Sequence, residues 1–455
     1  MKTGVTAAIA VVIVIVVVVA ALFATGILSF KGSGSGTNNS GTSTSTPGAS
    51  NVVGTSQVNN AIGGTWSSST GSTGTVSSSS GLQSVINLTT GGTAAKAGLN
   101  GAALGNPAIH WIATSGYPST GAVSGPSGDV ASVVGFEAGI FSPSSSSSFS
   151  FAAVGFLQYS DSSTPSSIFA QVYANVTNVS AVSTGTYMTT HKGVYSGHEF
   201  IYESTYSPTS IFYNGASTTY NYSHSLNTSA LVGYSGQFII FIFGESQTNS
   251  TFTMQSFETL YGSELTAVGS ISASLGTTFV SSSTLGTDTG TTWTQDMVAG
   301  VHITDAKGII NSYIQYSQSG TSGASNIPST DRALINGTVG SLTDVGASLY
   351  TSPSTGTINE IASIGYFQFN SATAVSNITT LLEAAGASSG FSTSTYNGYT
   401  YFNASSTMST PNGTFYTSLV LFIDGSNIIY GFFHGFQDIA LSMQLSIMSS
   451  EAAIA

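Results

Sequence analysis

The run "SFAAVGFLQY" occupies residues 150–159, and "EIASIGYFQF" occupies residues 360–369. The two align without a gap at a spacing of 210, so that Gly155 falls on Gly365 and Gln158 on Gln368. The match extends outward to Pro143 with Pro353 and Ile168 with Ile378. A shared Pro, Gly and Gln in one frame marks an internal duplication. Further on, "SGHEFIYES", ending at Ser204, aligns with "NGYTYFNAS", ending at Ser405, at a spacing of 201. "QFIIFIF" (237–243) aligns with "NIIYGFF" (427–433) at 190. The falling spacing means that the first copy carries extra loop residues, among them the Tyr-rich insert "TYSPTSIFYNGASTTYNYSHS" that begins at Thr205.

Each copy reads the same way. A strand (133–141 and 345–351) passes through a Pro/Ser turn into a second strand at the quoted run. A helix follows. In "PSSIFAQVYANV", Ile168, Val172 and Val176 recur every four residues, with Pro165 in the first turn. Its counterpart is "SNITTLLEAAG", with Ile378, Leu381 and Leu382 and a terminal Gly386. Three more strands come next. Asp424-Gly425 between two apolar runs predicts a type I′ hairpin turn. Each copy closes with a helix, near 251–271 and 436–454. The order is β-β-α-β-β-β-α. It predicts an α+β fold, two duplicated domains that are each an antiparallel sheet with helices on one face. Gly155 and Gly365 then mark a bulge or a close backbone approach in a central strand.

The chain before the first copy divides in three. Residues 29–80 are dominated by Gly, Ser and Thr and read as a flexible stalk. Before them, "VTAAIAVVIVIVVVVAALFATGIL" runs uncharged from Val5 to Leu28, long enough to cross a bilayer as a helix. Residues 1–4 form a short leader. The first α+β unit is placed at 81–275, a linker at 276–291 and the second unit at 292–455. Lys2 and Lys31 flank the apolar span singly, so charge does not orient it. The polar, sequon-rich bulk places the C-terminal body outside the cell membrane.

The segment "KTGVTAAIAVVIVIVVVVAAL" resembles the start of archaeal pilin-like precursors and of archaeal surface-anchored solute-binding proteins. The resemblance covers about the first thirty residues, like the apolar span itself. It implies a leader ending in Gly4, with cleavage leaving Val5 as the new N-terminus. It speaks to location and not to activity, because such leaders occur on filament subunits, binding proteins and enzymes alike.

Composition narrows the function. Apolar residues make up 41% of the chain, enough for real cores, but charged residues only 5%, against about a quarter in ordinary soluble proteins. Six Lys and Arg stand against 18 Asp and Glu, for a net charge of −12. Lys96, Lys192, Lys307 and Arg332 are scattered singly, which excludes nucleic acid as a partner. A body with so few ion pairs loses little when carboxylates titrate, which suits acid surroundings. A glycan-coated surface protein at neutral pH also dispenses with charge. Cysteine is absent, so packing alone holds the fold and thiolate metal sites are excluded. Sequons stand at Asn38, Asn87, Asn175, Asn178, Asn221, Asn227, Asn249, Asn336, Asn377, Asn403 and Asn412. In an extracellular body those that carry glycans must lie on the surface.

Few residues single themselves out for chemistry. Asp288-Thr289-Gly290 resembles the Asp-Thr-Gly of aspartic proteases, where two aspartates share a proton. No second such triplet is present, Gly286-Thr287 rather than an apolar strand precede it, and a turn is the commoner use. His191, His198 and Glu199, with Glu203 beyond, have the donor types of a zinc or copper site. His191 and His198 are an odd number apart and face opposite sides of a strand unless a turn at Gly193 or Gly197 intervenes. The second copy has Tyr399 and Thr400 in place of His198 and Glu199. His434 and Asp438 form a His–Asp pair without an evident nucleophile. Glu137, Glu199, Glu203 and Glu245 are the carboxylates available for glycoside hydrolysis. No cofactor is implied.

Together these features favour a membrane-anchored extracellular surface protein with a structural or interaction role, not an enzyme. Its partners would be the membrane, through residues 5–28, and glycans or other surface proteins. The alternatives are a surface-tethered solute-binding protein for sugar or peptide and an acid-active extracellular hydrolase.

Overall fold

The computed structural model describes residues 52–77, 133–144, 150–175, 179–183, 186–207, 210–212, 219–221, 226–246, 252–269, 279–303, 338–353, 360–389, 391–410 and 413–454. The leader, the apolar span 5–28 and the sequons at Asn38, Asn87, Asn178, Asn249, Asn336 and Asn412 lie outside them. Among the described residues no helix is long and apolar enough to cross a membrane.

The first unit begins with α1 (Thr55–Ile62), β1 (Trp66–Val76), β2 (Val133–Pro143), β3 (Ser150–Tyr159) and α2 (Ser163–Asn175). It continues with β4 (Val179–Ser183), β5 (Thr186–Tyr195) and β6 (His198–Ser207). The Tyr-rich insert follows, where β7 (Ser210–Phe212) and β8 (Thr219–Asn221) make a small ladder of their own. The unit ends with β9 (Leu226–Ser235), β10 (Phe238–Ser246) and α3 (Met254–Ala267). The second unit repeats the plan. It has α4 (Ser282–Thr289), β11 (Thr294–Ile303), β12 (Leu342–Ser352), β13 (Glu360–Phe369) and α5 (Ala372–Ser389). Then come β14 (Ser392–Tyr396), β15 (Tyr399–Thr410), β16 (Gly413–Asp424), β17 (Asn427–Gly435) and α6 (Leu441–Ala452).

Fifteen strands form one antiparallel sheet, ordered β14-β15-β16-β17-β13-β12-β11-β1-β2-β3-β10-β9-β6-β5-β4. Read outward from the β11–β1 seam, both halves run first, second and third strand, then the last strand and back through the hairpins. The duplication is therefore structural. Pairing also corrects two frames. Ala138 opposes Gly155 and Ala347 opposes Gly365, so the strands before them correspond at a spacing of 209, not the 210 that aligned Pro143 with Pro353. Phe241 opposes Gly155 and Tyr430 opposes Gly365, so the last strands correspond at a spacing of 189, not 190.

Three expectations change. First, α1 and β1 lie within the stretch read as stalk, and α4 within the stretch read as linker. The second unit is accordingly α-β-β-β-α-β-β-β-β-α. β1, "WSSSTGSTGTV", lacks an apolar alternation; its small residues leave room for neighbouring side chains, such as Phe136 over Gly74, and backbone ladders hold it on both sides. Second, the helices cover both faces of the sheet. On one face α1 and α3 pack Val58, Phe257 and Leu260 onto Phe141, Val154 and Ile240. In the second unit α4 and α6 do the same with Leu285, Ile447 and Met448. On the other face Val375, Ile378 and Leu382 of α5 join an apolar layer that runs through both units, from Phe136 and Phe241 to Leu349, Phe367 and Tyr430. There, too, Phe169 of α2 lies 5.1 Å from the Tyr234 ring. Burial on both faces explains why "FIIFIF" is apolar without alternation. Each such side chain contributes about 1.5–3 kcal/mol. Third, the tip of the β16–β17 hairpin is Gly425-Ser426, with Asp424 paired to Asn427. Only Gly425 has a positive φ (58°), which is the type II′ pattern.

Gly155 and Gly365 serve close approach. A Cβ on Gly155 would sit 2.7 Å from Ala138 Cβ and from the Phe241 ring, and one on Gly365 would sit 2.8 Å from the Tyr430 ring. The bulges of these ladders lie elsewhere, at Val133/Gly135 and Leu342/Asp344.

Candidate functional site

Of the residues singled out from the sequence, only the neighbours His198 and Glu199 come to one place, a depression described below. Asp288 lies on α4, which Gly290 ends in the left-handed conformation at φ 73°. Asp288 Oδ2 is buried without a hydrogen-bond partner, and the neighbouring Thr289 Oγ1 accepts from Trp293 Nε1 at 2.8 Å. Asp-Thr-Gly is thus a helix end. His434 Nδ1 pairs with Thr417 Oγ1 at 2.8 Å, and burial holds its pKa below the ordinary value. Asp438 is exposed, and the adjacent N–H groups of Phe436 and Gln437 donate to Glu360 instead.

The turn anticipated at Gly197 does intervene. Ser196 and Gly197 both have positive φ and join β5 to β6, with Tyr195 opposite His198 and His191 opposite Tyr202. Both imidazoles therefore share a face, but four residues of strand, roughly 13 Å, separate them. Glu199 and Glu203 alternate to the other face. Among the described residues no three His, Asp or Glu side chains come together as a metal-ligand set. Glu137 is buried on β2, and Glu245 lies on β10. Of the sequons, Asn377 is exposed on α5. Asn175 ends α2, Asn221 ends β8, and Asn403 accepts from Ser392 Oγ at 2.6 Å. Asn227 is not a surface sequon. It is 2% exposed, and its Oδ1 accepts from Ser229 at 3.1 Å.

Two features absent from the sequence reading stand out. The first is a pair of equivalent carboxyls. Glu264 on α3 and Glu451 on α6 are both 0% exposed. Oε2 of Glu264 accepts from the Val53 N–H at 2.9 Å, and Oε2 of Glu451 accepts from the Val280 N–H at 2.7 Å. Each ties the entry to the unit's first helix onto its last helix. Burial pushes Glu264 up to about 8, against the pull of the Val53 N–H and with help from nearby Glu137. Burial pushes Glu451 up to about 7, against the Val280 N–H. Both are neutral in acid. The second is His302 and Asp344, 2.7 Å apart on β11 and β12, the one ion pair between the described residues. The Asp344 hydrogen bond raises the His302 pKa.

A depression of about 460 Å³ opens between the tips of the β5–β6 and β9–β10 hairpins of the first unit. Val194, His198, Glu199, Tyr234 and Ser235 line it. Beneath it the Tyr261 hydroxyl from α3 lies 3.3 Å from the carbonyl oxygens of both Glu199 and Tyr234, tying the two hairpins together.

No family model matches the chain, and no curated protein does. Among solved structures, the extracellular domain of PknH from Mycobacterium tuberculosis is similar at 10% identity, over 38% of this chain and 92% of that one, with a TM-score of 0.23. At that score the likeness carries no functional argument.

The carboxyl pair did leave a signal. Val53 and Trp66, and Val280 and Trp293, stand at one common spacing, each pair bracketing a short helix. The Glu residues close it from far along the chain, with no local pattern to announce them.

Proposed function

We propose that the protein is a membrane-anchored extracellular surface protein with a structural or interaction role, suited to acidic surroundings. In this reading residues 5–28 hold it in the membrane and the duplicated sheet stands outside. The carrying observation is the Glu264 and Glu451 pair. Each is a buried carboxyl that keeps its hydrogen bond while neutral, so protonation does not break the fold. With one ion pair between the described residues, mild acid has little else to remove, since Asp161, held down to about 2 by its hydrogen bonds from Ser163 and Thr164, stays ionised there.

Two measurements test this. Membrane-impermeant biotinylation of intact cells should label the body, and protease added outside should release it. Retention of the label-free body inside the cell sinks the surface reading. Denaturant unfolding should give higher stability at pH 4 than at pH 8. The opposite order sinks the acid reading.

A further inference from the structure

We propose that the depression at the hairpin tips of the first unit binds a neutral saccharide. It deepens the surface reading above and rests on it for its setting. The duplication supplies the argument. Two units share one fold, so a residue that the fold needs should be compatible with both copies. Val194, His198, Glu199 and Tyr234 correspond to Thr395, Tyr399, Thr400 and Ile423 in the second unit. The fold therefore forms without them.

Val194, Glu199 and Tyr234 line the depression, and Lys192 and a row of rings lie on the strands and helix beside it. Val194 is 62% exposed, one of three large hydrophobics in the open among the described residues. Lys192 is the sole Lys or Arg among those residues, and its Nζ lies 4.7 Å from the centre of the Tyr173 ring. Tyr173, Phe169 and Tyr234 form a row of rings from α2 to the β9 tip, at 5.5 and 5.1 Å. Glu199 is close enough for its charge to act on the Tyr173 phenol.

The site is also built. Gly233 leaves room for the Tyr261 ring, where a Cβ would meet it at 2.7 Å or less. The shared Tyr261 hydroxyl then fixes the carbonyls of Glu199 and Tyr234 and sets the spacing of the two tips. In the second unit Phe422 and Met448 occupy these two places, and no such tie exists there.

The half-exposed Tyr234 ring and Val194 offer an apolar wall for the C–H face of a pyranose. Glu199, His198 and Ser235 offer acceptors and donors for its hydroxyls. A few polar groups set into an apolar wall suit an uncharged polyol better than an anion or a purely apolar ligand.

The test uses the full-length protein in detergent and the methyl glycosides of mannose, glucose, galactose and N-acetylglucosamine. Ligand-observed NMR and calorimetry should show saturable binding of at least one, with Kd on the order of 1 mM or tighter. A fourfold variant, Lys192→Thr, Val194→Thr, His198→Tyr and Glu199→Thr, installs residues the fold already tolerates at those positions. It should lose at least tenfold in affinity with an unchanged melting temperature. Binding unaffected by that variant, or no binding of any glycoside, overturns the proposal. So does saturable binding of a tripeptide panel in place of the sugars. Surface biotinylation is scored separately, so either reading can fail alone.

Discussion

Thr73 lies directly opposite Gly300 in the β1–β11 ladder, and the two are the same position of the duplicated unit. The first helices begin at Thr55 and Ser282, a spacing of 227, which also relates Trp66 to Trp293 and Thr73 to Gly300. To either side the partners exchange roles: Gly71 opposes His302, and Thr75 opposes Val298. A local two-fold axis thus passes through the seam. This is the geometry of an isologous dimer contact, made here within one chain.

Halves of the chain separated between residues 270 and 278 should therefore reassociate. The second half alone should form a dimer with β11 against β11. Light scattering on the co-expressed halves and on the single half checks both. A second half that stays monomeric at high concentration would mean that the seam depends on contacts only the first unit can make.

Glu264 and Glu451 predict the direction of pH dependence. Their folded pKa values, about 8 and about 7, lie above the ordinary carboxyl value of 4.5. The unfolded chain releases both protons above that value while the folded chain retains them. Stability is then complete below pH 4.5 and falls as pH rises toward 7 and 8, by a few kcal/mol in total. Glu264→Gln with Glu451→Gln keeps an acceptor for the Val53 and Val280 N–H groups and removes the titration. Urea unfolding of the double variant should show a flattened profile between pH 4 and 8. An unchanged slope would place the linkage in other groups.

What was legible follows from where the information resides. The runs at 150–159 and 360–369 announced the duplication because each strand is buried on both faces and must repeat its apolar content. The close approaches at Gly155 and Gly365 were legible for the same reason. β1 was not, because Ser, Thr and Gly in a strand gripped from both sides resemble a linker. Nor were helices on two faces, since an apolar stripe says that a helix packs and not on which side. Asp288 and His434 drew attention as residue types, whereas Glu264, Glu451 and the His302–Asp344 pair became visible only when distant strands and helices met.

The His302–Asp344 pair occupies places where the first unit has Thr75 and Gly135. The raised His302 pKa means that its contribution is complete below the ordinary histidine value and is lost as pH climbs past the folded value. Asp344→Asn should cost about 1 kcal/mol at pH 5 and less at pH 8, because the imidazole is partly exposed. Equal cost at both pH values in urea titrations would show that the bond matters in its neutral form alone.

Asn227 and Asn377 should differ in glycoprotein from the native source. Asn377 is exposed on the outer side of α5, whereas Asn227 is buried against Ser204 and Ser229. Glycopeptide mass spectrometry should find sugar at Asn377 and none at Asn227. A glycan on Asn227 would require β9 to leave its place in the sheet, contrary to the observed pairing with β6 and β10.

Gly155→Ala and Gly365→Ala test whether the repeated glycine is structural in both units. The added methyl group meets Ala138 and Phe241 in the first unit and Tyr430 in the second, all of them in well-packed layers. The nearest neighbours are backbone carbonyls, that of Glu137 in the first unit and that of Gly346 in the second, so the strands themselves must shift. Overpacking of this kind costs about 1–3 kcal/mol. Each variant should lower the urea midpoint, and because the two sites are far apart across the seam, the double variant should show the sum. A stable Gly155→Ala protein beside a destabilised Gly365→Ala protein would show that only the second unit needs the close approach, and that the first keeps its glycine for another reason.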